Sequence, residues 1–215
     1  MIIGFAGKAS SGKTTAAHHL APLLDRETLI VPMAMVLREE VEQFLRTSGA
    51  AAAVPLVYGC QEDKLRIFYV DQDQALAACP RWDGYLAAHQ DIQDRAGQAA
   101  VTVRRILQWW GTEYRRSEDP DYWTKAWRAK VSGYDLDRVH ILVDDVRFMN
   151  ELQVIRALGG RFVKIDRPGF AAGGNHASET SLDGFNGWDE VILNDASLEE
   201  FKTSVGQLAE RLTRD

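Results

Sequence analysis

Apolar residues along this chain come in short unbroken runs, separated by longer stretches in which they recur every three or four positions. Ile2, Ile3, Gly4, Phe5 and Ala6 form the first run, which stops at Gly7. A short run without alternation suits a strand buried on both faces, as in a parallel sheet. The pattern then predicts a helix over 13–24, a brief strand over 29–31 stopped by Pro32, and a helix over 34–47 ended by Gly49. Thr102 is placed to cap a helix reaching 116, with Val103, Leu107, Trp110 and Tyr114 forming one apolar face. Asp119-Pro120 is an N-cap followed by proline at the first helical position, so a further helix covers 120–131.

Residues 139–143 form the clearest buried strand, which ends in Asp144-Asp145. A helix over 151–158 stops at Gly159-Gly160, a glycine C-cap signal, and a strand over 161–165 follows. A last short strand covers 191–193, and Ser197 caps a C-terminal helix. Strands alternating with helices imply a three-layer α/β/α domain around a short parallel sheet. Residues 49–100 break this rhythm. A four-alanine run, then Gly59, Pro80 and Gly84, then a stretch dense in acidic residues and Gln from Asp71 to Gln98, read as an inserted, mainly helical lobe. The whole is expected to be one domain of 1–215 carrying that lobe, with no internal repeat.

Composition narrows the class. The chain has 215 residues, 46% of them hydrophobic and 26% charged, the balance of a folded globular domain. Two cysteines, Cys60 and Cys79, are too few for a disulfide framework or a cysteine-rich zinc site and fit a reduced, cytoplasmic compartment. The net charge of −6 argues against a general nucleic-acid binder, yet leaves room for a small phosphorylated ligand held by a few local cations. No stretch approaches the roughly 20 apolar residues of a membrane span, and the N-terminus lacks the pattern of a signal peptide.

Gly7-Lys8-Ala9-Ser10-Ser11-Gly12-Lys13-Thr14 matches the phosphate-loop pattern GxxxxGK[ST]. Its four fixed positions would match by chance in roughly one chain of this length in a hundred. The match also sits just after a strand and just before a helix, as the motif requires. Glycines let the backbone wrap close to phosphate oxygens, and successive N–H groups with the helix N-terminus face the anion. Gly7, Lys8, Ser10, Ser11, Gly12, Lys13, Thr14 and Thr15 are therefore the candidate ATP-binding residues. Lys13 would supply a point charge to the β- and γ-phosphates, and the Thr14 hydroxyl a ligand to Mg²⁺. A metal-binding acid is expected at the end of a buried strand, where Asp144 and Asp145 stand side by side.

An ATP site needs an acceptor site beside it. Arg38, Arg66, Arg104, Arg105, Arg115, Arg116 and Arg147 are the candidate cations, and Arg147 is well placed because it lies just past a strand end. Trp109, Trp110, Trp123 and Trp127 cluster in sequence. Trp110 continues the apolar stripe and is expected in the core, while Trp123 is a candidate to stack on a base. His18 and His19 are expected to be structural or exposed, and His176 to lie in a glycine-rich surface loop.

The segments GKASSGKTT (7–15), TVRRILQWWGTEYRR (102–116), DYWTKAW (121–127), VDDVRFMNE (143–151), GGRFVKIDRPG (159–169), HASE (176–179) and LNDASLEEF (193–201) together resemble the phage deoxynucleoside monophosphate kinases of the T-even type. The likeness covers most of the chain outside 49–100. It implies a P-loop kinase fold and transfer of the ATP γ-phosphate to a dNMP, giving dNDP and ADP for phage DNA synthesis in the host cytoplasm. It places Arg104, Arg105, Gln108, Gly111 and Thr112 around the nucleoside monophosphate, with Trp123 as the aromatic of the family's YW pair. It puts Asp145, Arg147 and Glu151 in the strand-end motif and favours Asp145 over Asp144 as the Mg²⁺ ligand. Arg38 matches a position that is often Lys in the family, a change that keeps charge but not geometry. The family's basic pair in the lobe has its nearest match at Lys64 and Arg66, next to Asp63. Asn194, with Asp195 and Ser197, resembles the loop that holds adenine in related kinases. Arg66, Arg115 and Arg116 are candidates to close over the transferring group. The implied partner is a small-molecule dNMP, with no nucleic-acid polymer and no membrane, and a homodimer is an admissible assembly.

Two other readings stand beside this one. Another small P-loop kinase, acting on dephospho-CoA or phosphomevalonate, would share the loop and the strand-end acid. A regulatory ATP-binding module would bind nucleotide without transferring phosphate to any monophosphate. The base-reading NKxD of a GTPase is absent from the sequence.

Overall fold

The computed structural model describes residues 1–89, 94–95, 97–169 and 180–212. In chain order the elements are β1 (Ile2–Ala6), α1 (Lys13–Leu20), β2 (Glu27–Ile30), α2 (Met35–Thr47), α3 (Val54–Tyr58), β3 (Ile67–Asp71), α4 (Gln72–Ala78), α5 (Trp82–Ala88), β4 (Asp94–Arg95), β5 (Gln98–Thr102), α6 (Val103–Gln108), α7 (Tyr122–Val131), β6 (Val139–Val146), α8 (Met149–Ala157), β7 (Arg161–Asp166), β8 (Glu190–Leu193) and α9 (Leu198–Leu212). They group into two compact units: Met1–Met33 with Thr124–Asp215, and Ala34–Trp123.

The first unit is built on a five-stranded sheet in the order β2-β6-β1-β7-β8, with every pair parallel. All five residues of β1 are buried, as its unbroken apolar run predicts. Ile3 and Phe5 share one face with Ala16, Ala17 and Leu20 of α1 and with Phe201, Val205 and Leu208 of α9. On the opposite face Gly4 leaves room for α8, since a Cβ there would sit 3.0 Å from the Ile155 side chain. That gives helix, sheet, helix in three layers. Ser197 begins α9 with a reciprocal cap: its hydroxyl accepts from the Glu200 N–H at 3.3 Å, and the Glu200 carboxylate accepts from the Ser197 N–H at 3.1 Å. Strand β6 runs three residues beyond the predicted end, because Val146 still pairs with Ala6 across a register shift. The loops after β1 and β6, adjacent parallel strands, therefore meet at the carboxyl end of the sheet, where α/β folds bind ligands.

The second unit is wider than the lobe expected over 49–100, and strands accompany its helices. It holds a three-stranded antiparallel sheet in the order β3-β5-β4. Its core is aromatic: Phe44, Trp82, Tyr85, Trp109, Trp110 and Trp123 pack together with Val41, Leu45, Val103 and Ile106. Trp82 and Tyr85 stack at 4.2 Å, and Trp109 meets Trp110 edge-on at 6.0 Å. Thr102 caps α6 as predicted, accepting from the Arg105 N–H at 3.3 Å. After Gln108 the chain opens into a π-helical stretch, Trp109–Arg116. Successive residues of an α-helix turn by about 100°. The wider π turn instead leaves Trp109, Trp110 and Gly111 buried in succession. Among the described residues, no helix is long and apolar enough to cross a membrane.

Candidate functional site

In the first unit the phosphate loop wraps the carboxyl end of β1. Gly7 and Gly12 have positive φ, at 146° and 106°, and so does Ser10 at 59°. A Cβ on Gly7 would lie 2.3 Å from the Ile165 carbonyl oxygen, so only glycine fits there. Lys13 is 6% exposed and lies back over the loop, its ammonium donating to the carbonyls of Gly7 and Lys8 at 2.7 Å each. Lys8 points outward and forms an ion pair with Asp183. Thr15 is exposed in the first turn of α1, and the buried Ser11 hydroxyl has no hydrogen-bond partner.

The strand-end pair of acids is resolved by the alternation of side chains along a strand. The Thr14 hydroxyl donates to Asp144 Oδ2 at 2.7 Å. Asp145, the metal ligand favoured by resemblance, faces the other way and accepts the Met33 N–H at 2.7 Å. Asp144 is 7% exposed, and its second oxygen is buried with no hydrogen-bond partner among the described residues. An unpaired buried carboxylate oxygen next to a hydroxyl is a hard oxygen-donor set of the kind Mg²⁺ takes. Among the described residues, no group of three or more His, Cys, Asp and Glu side chains is gathered for a metal.

Two further side chains brace the loop. Asn194, expected against adenine, donates to the Ser11 carbonyl at 2.8 Å from the end of β8. Arg167 donates to the Ser10 carbonyl at 3.0 Å from just past β7. Sequence reasoning did not single out Arg167 or Asp183. Arg167-Pro168-Gly169 follows the strand predicted over 161–165, but nothing in the sequence shows that it closes on the loop. Glu151, expected at the substrate, is 3% exposed and accepts the backbone N–H groups of Arg147 and Phe148 at 2.7 and 3.2 Å. It caps α8 and fixes the backbone that carries the half-buried Arg147.

In the second unit Arg104, Arg105, Gln108, Gly111 and Thr112 lie on one continuous helical segment, all but the buried Gly111 being half-buried. Arg104 donates to Gln61, which brings the turn Asp63–Leu65 with Lys64 and Arg66 beside α6. That turn is held by Asp63, which accepts from the Cys60 N–H and thiol at 3.1 Å each; those bonds pull its pKa below the usual carboxylate value. Among the described residues Arg66 forms an exposed ion pair with Asp63 at 3.7 Å. The Arg38 side chain on α2 is half-buried and makes no hydrogen bond or ion pair among the described residues. Gly111 is a packing position, because a Cβ there would lie 3.2 Å from Leu37.

Trp123 departs from the base-stacking expectation. It is 3% exposed, belongs to the aromatic core, and donates its indole N–H to the Gly111 carbonyl at 2.8 Å. Arg115 is likewise no free closing arginine: it is bound to Glu40 at 2.9 Å and lies over the rings of Tyr114 and Tyr122. His176 and the HASE segment lie outside the described residues.

Comparison with known proteins follows this geometry. A family model described as deoxynucleotide monophosphate kinase matches residues 51–205. A putative deoxynucleotide monophosphate kinase of Acanthamoeba polyphaga mimivirus is 29% identical over 218 positions, which span 95% of this chain and 94% of the relative. The deoxynucleotide monophosphate kinase of Enterobacteria phage T4 is 34% identical over 110 positions, 48% of this chain and 44% of that protein. That of Escherichia phage RB69 is 31% identical over 111 positions, 50% of this chain and 44% of the relative.

Proposed function

The chain belongs to the deoxynucleotide monophosphate kinase family, and we propose that it moves the γ-phosphate of ATP onto a deoxynucleoside 5′-monophosphate, giving the diphosphate and ADP. The observation that carries this reading is the phosphate loop with Lys13 folded over it and Thr14 joined to Asp144 at the adjacent strand end.

Phosphoryl transfer asks little covalent chemistry of a protein, so positioning and charge neutralisation supply the rate. The loop N–H groups and Lys13 hold the β- and γ-phosphates, with Lys13 exchanging its two loop carbonyls for phosphate oxygens. Asn194 and Arg167 keep the loop in shape by bonding the Ser11 and Ser10 carbonyls. Thr14 and Asp144 are the residues that would hold Mg²⁺, which when bound neutralises charge on the β- and γ-oxygens. For the acceptor we assign Arg38, Arg104, Arg105, Gln108, Thr112 and Arg147, with Lys64 and Arg66 on the turn that reaches Arg104. The acceptor phosphate oxygen is itself the nucleophile and attacks the γ-phosphorus in line as the bond to the ADP oxygen breaks. No phosphoenzyme is required.

A coupled ADP-release assay with Mg·ATP tests the reading across dGMP, dTMP, dCMP, dAMP, 5-hydroxymethyl-dCMP and the matching ribonucleotides. Turnover of at least one deoxynucleotide is expected. ATP binding with no turnover of any monophosphate would overturn it in favour of a regulatory module.

A further inference from the structure

The Glu40 carboxylate on α2 is saturated in an unusual way. One of its oxygens accepts both the Trp110 indole N–H at 2.8 Å and the Arg115 Nε–H at 2.9 Å. Its other oxygen accepts the Tyr122 hydroxyl. The three donors come from both ends of the π-helical stretch and from the start of α7. Arg115 is held twice over, since its guanidinium also lies 4.5 Å from the Tyr114 ring centre and 4.8 Å from that of Tyr122. Burial and Glu40 together push the Tyr122 hydroxyl up to about 12.

The π-helical stretch is the costly part of this arrangement. A π turn is rare beside the α-helical alternative, so it persists where the surroundings fix it. Trp110 and Arg115 are five residues apart, the spacing closed by one π turn. A single acceptor that binds both, and pins Tyr122 as well, selects the wide turn over the α-helical one. The register matters to what the segment displays. Arg104, Gln108 and Thr112 recur every four residues, and in an α-helix such a row drifts by about 40° at each step. The wider turn after Gln108 swings the row back, so Thr112 returns toward the line of Arg104.

We propose that Glu40 is the positioning residue of the acceptor segment: by accepting from Trp110, Arg115 and Tyr122 at once, it holds the π-helical register in which Arg104, Gln108 and Thr112 form one binding row. This rests on the acceptor reading of that segment given above. Glu40 touches neither substrate. It acts through the backbone of 109–116 alone.

The test is steady-state kinetics of Glu40→Gln with each substrate varied in turn. The amide oxygen can still face Trp110 and Arg115 only with the NH2 group turned to Tyr122, and the bond to Arg115 then loses the acceptor's charge, a change of about tenfold. The KM for the dNMP is expected to rise about tenfold or more, with the KM for ATP within about twofold. A purely structural role would lower kcat with the folded fraction and leave both KM values alone, and that result would overturn the proposal. Should Glu40→Gln fail to fold, Tyr122→Phe removes one of the three bonds and is expected to raise the dNMP KM about threefold; an unchanged value there would overturn it equally. Glu40→Asp, which keeps the charge, is expected to recover part of the affinity. Failure of the kinase reading itself is read separately, as absence of dNMP turnover by the unsubstituted enzyme.

Discussion

The paired acids at the end of β6 give the sharpest separation between two otherwise identical substitutions. Asp144→Asn keeps an oxygen for the Thr14 hydroxyl, now 2.7 Å from Asp144 Oδ2, and removes a charge whose other oxygen is buried without a partner. Relieving that burial is expected to leave stability unchanged or to raise it by about 1–2 kcal/mol. The same change removes the carboxylate to which Thr14 donates, and losing such a group costs about 3–4 kcal/mol of transition-state stabilisation, or roughly 10²–10³ in kcat. Asp145→Asn instead weakens a charge-assisted bond to the Met33 N–H, now 2.7 Å long, into a neutral one. That costs about 1 kcal/mol of stability and should leave kcat within about fivefold. Urea unfolding of both variants, with kcat measured on the same preparations in Mg·ATP, reads all four numbers. An active Asp144→Asn beside a silent Asp145→Asn would refute the assignment. A marked loss of stability in Asp144→Asn would show that its free oxygen is engaged after all.

Three further outcomes are expected. Lys13→Ala should lower kcat by about a hundredfold or more, while its melting temperature moves little, because the Gly7 and Lys8 carbonyls to which it donates can turn to water. Trp123→Leu should cost about 3 kcal/mol in urea unfolding, from lost burial and an unpaired Gly111 carbonyl, with the dNMP KM within about threefold; a stacking role would instead raise that KM tenfold or more. Tyr122 ionises near 10 when unfolded and at about 12 in the fold, because burial and then the Glu40 bond favour its neutral form. Its contribution to stability is therefore full below pH 10 and lost as the pH rises through about 12, and ultraviolet phenolate absorbance should show its transition shifting down in Glu40→Gln.

The first unit was legible because its strands are buried on both faces and so appear as short apolar runs. Ile2–Ala6 was located to the residue. The loop after β1 stands out in the sequence because the phosphate-loop pattern sets glycines and Lys at fixed offsets, and the positive φ of Gly7 and Gly12 is where that pattern puts glycine. The second unit hid for opposite reasons. Ile67-Phe68-Tyr69-Val70 are strong strand formers, yet they lie in a stretch rich in charge and alanine, and their partner β5 is built from small residues. The limits of that unit follow packing around Trp82, Trp109 and Trp110, so no shift in composition marks them. Which of two adjacent acids faces Thr14 depends on strand phase, which a register shift beside Gly4 and Ala6 sets. Trp123 is a stacking candidate as an aromatic of the YW pair, and Glu151 is placed at the substrate by the resemblance of the strand-end motif. Only the fold shows the indole spent on Gly111 and the carboxylate on the Arg147 backbone.

The central claim is tested most directly by following the phosphorus atom itself. The protein is incubated with Mg²⁺, a dNMP and ATP labelled at its γ-phosphate, and the nucleotides are then separated. The account predicts label in the β-position of the deoxynucleoside diphosphate, with none transferred by Lys13→Ala. Label appearing only as inorganic phosphate, or remaining in ATP with every dNMP offered, would contradict it.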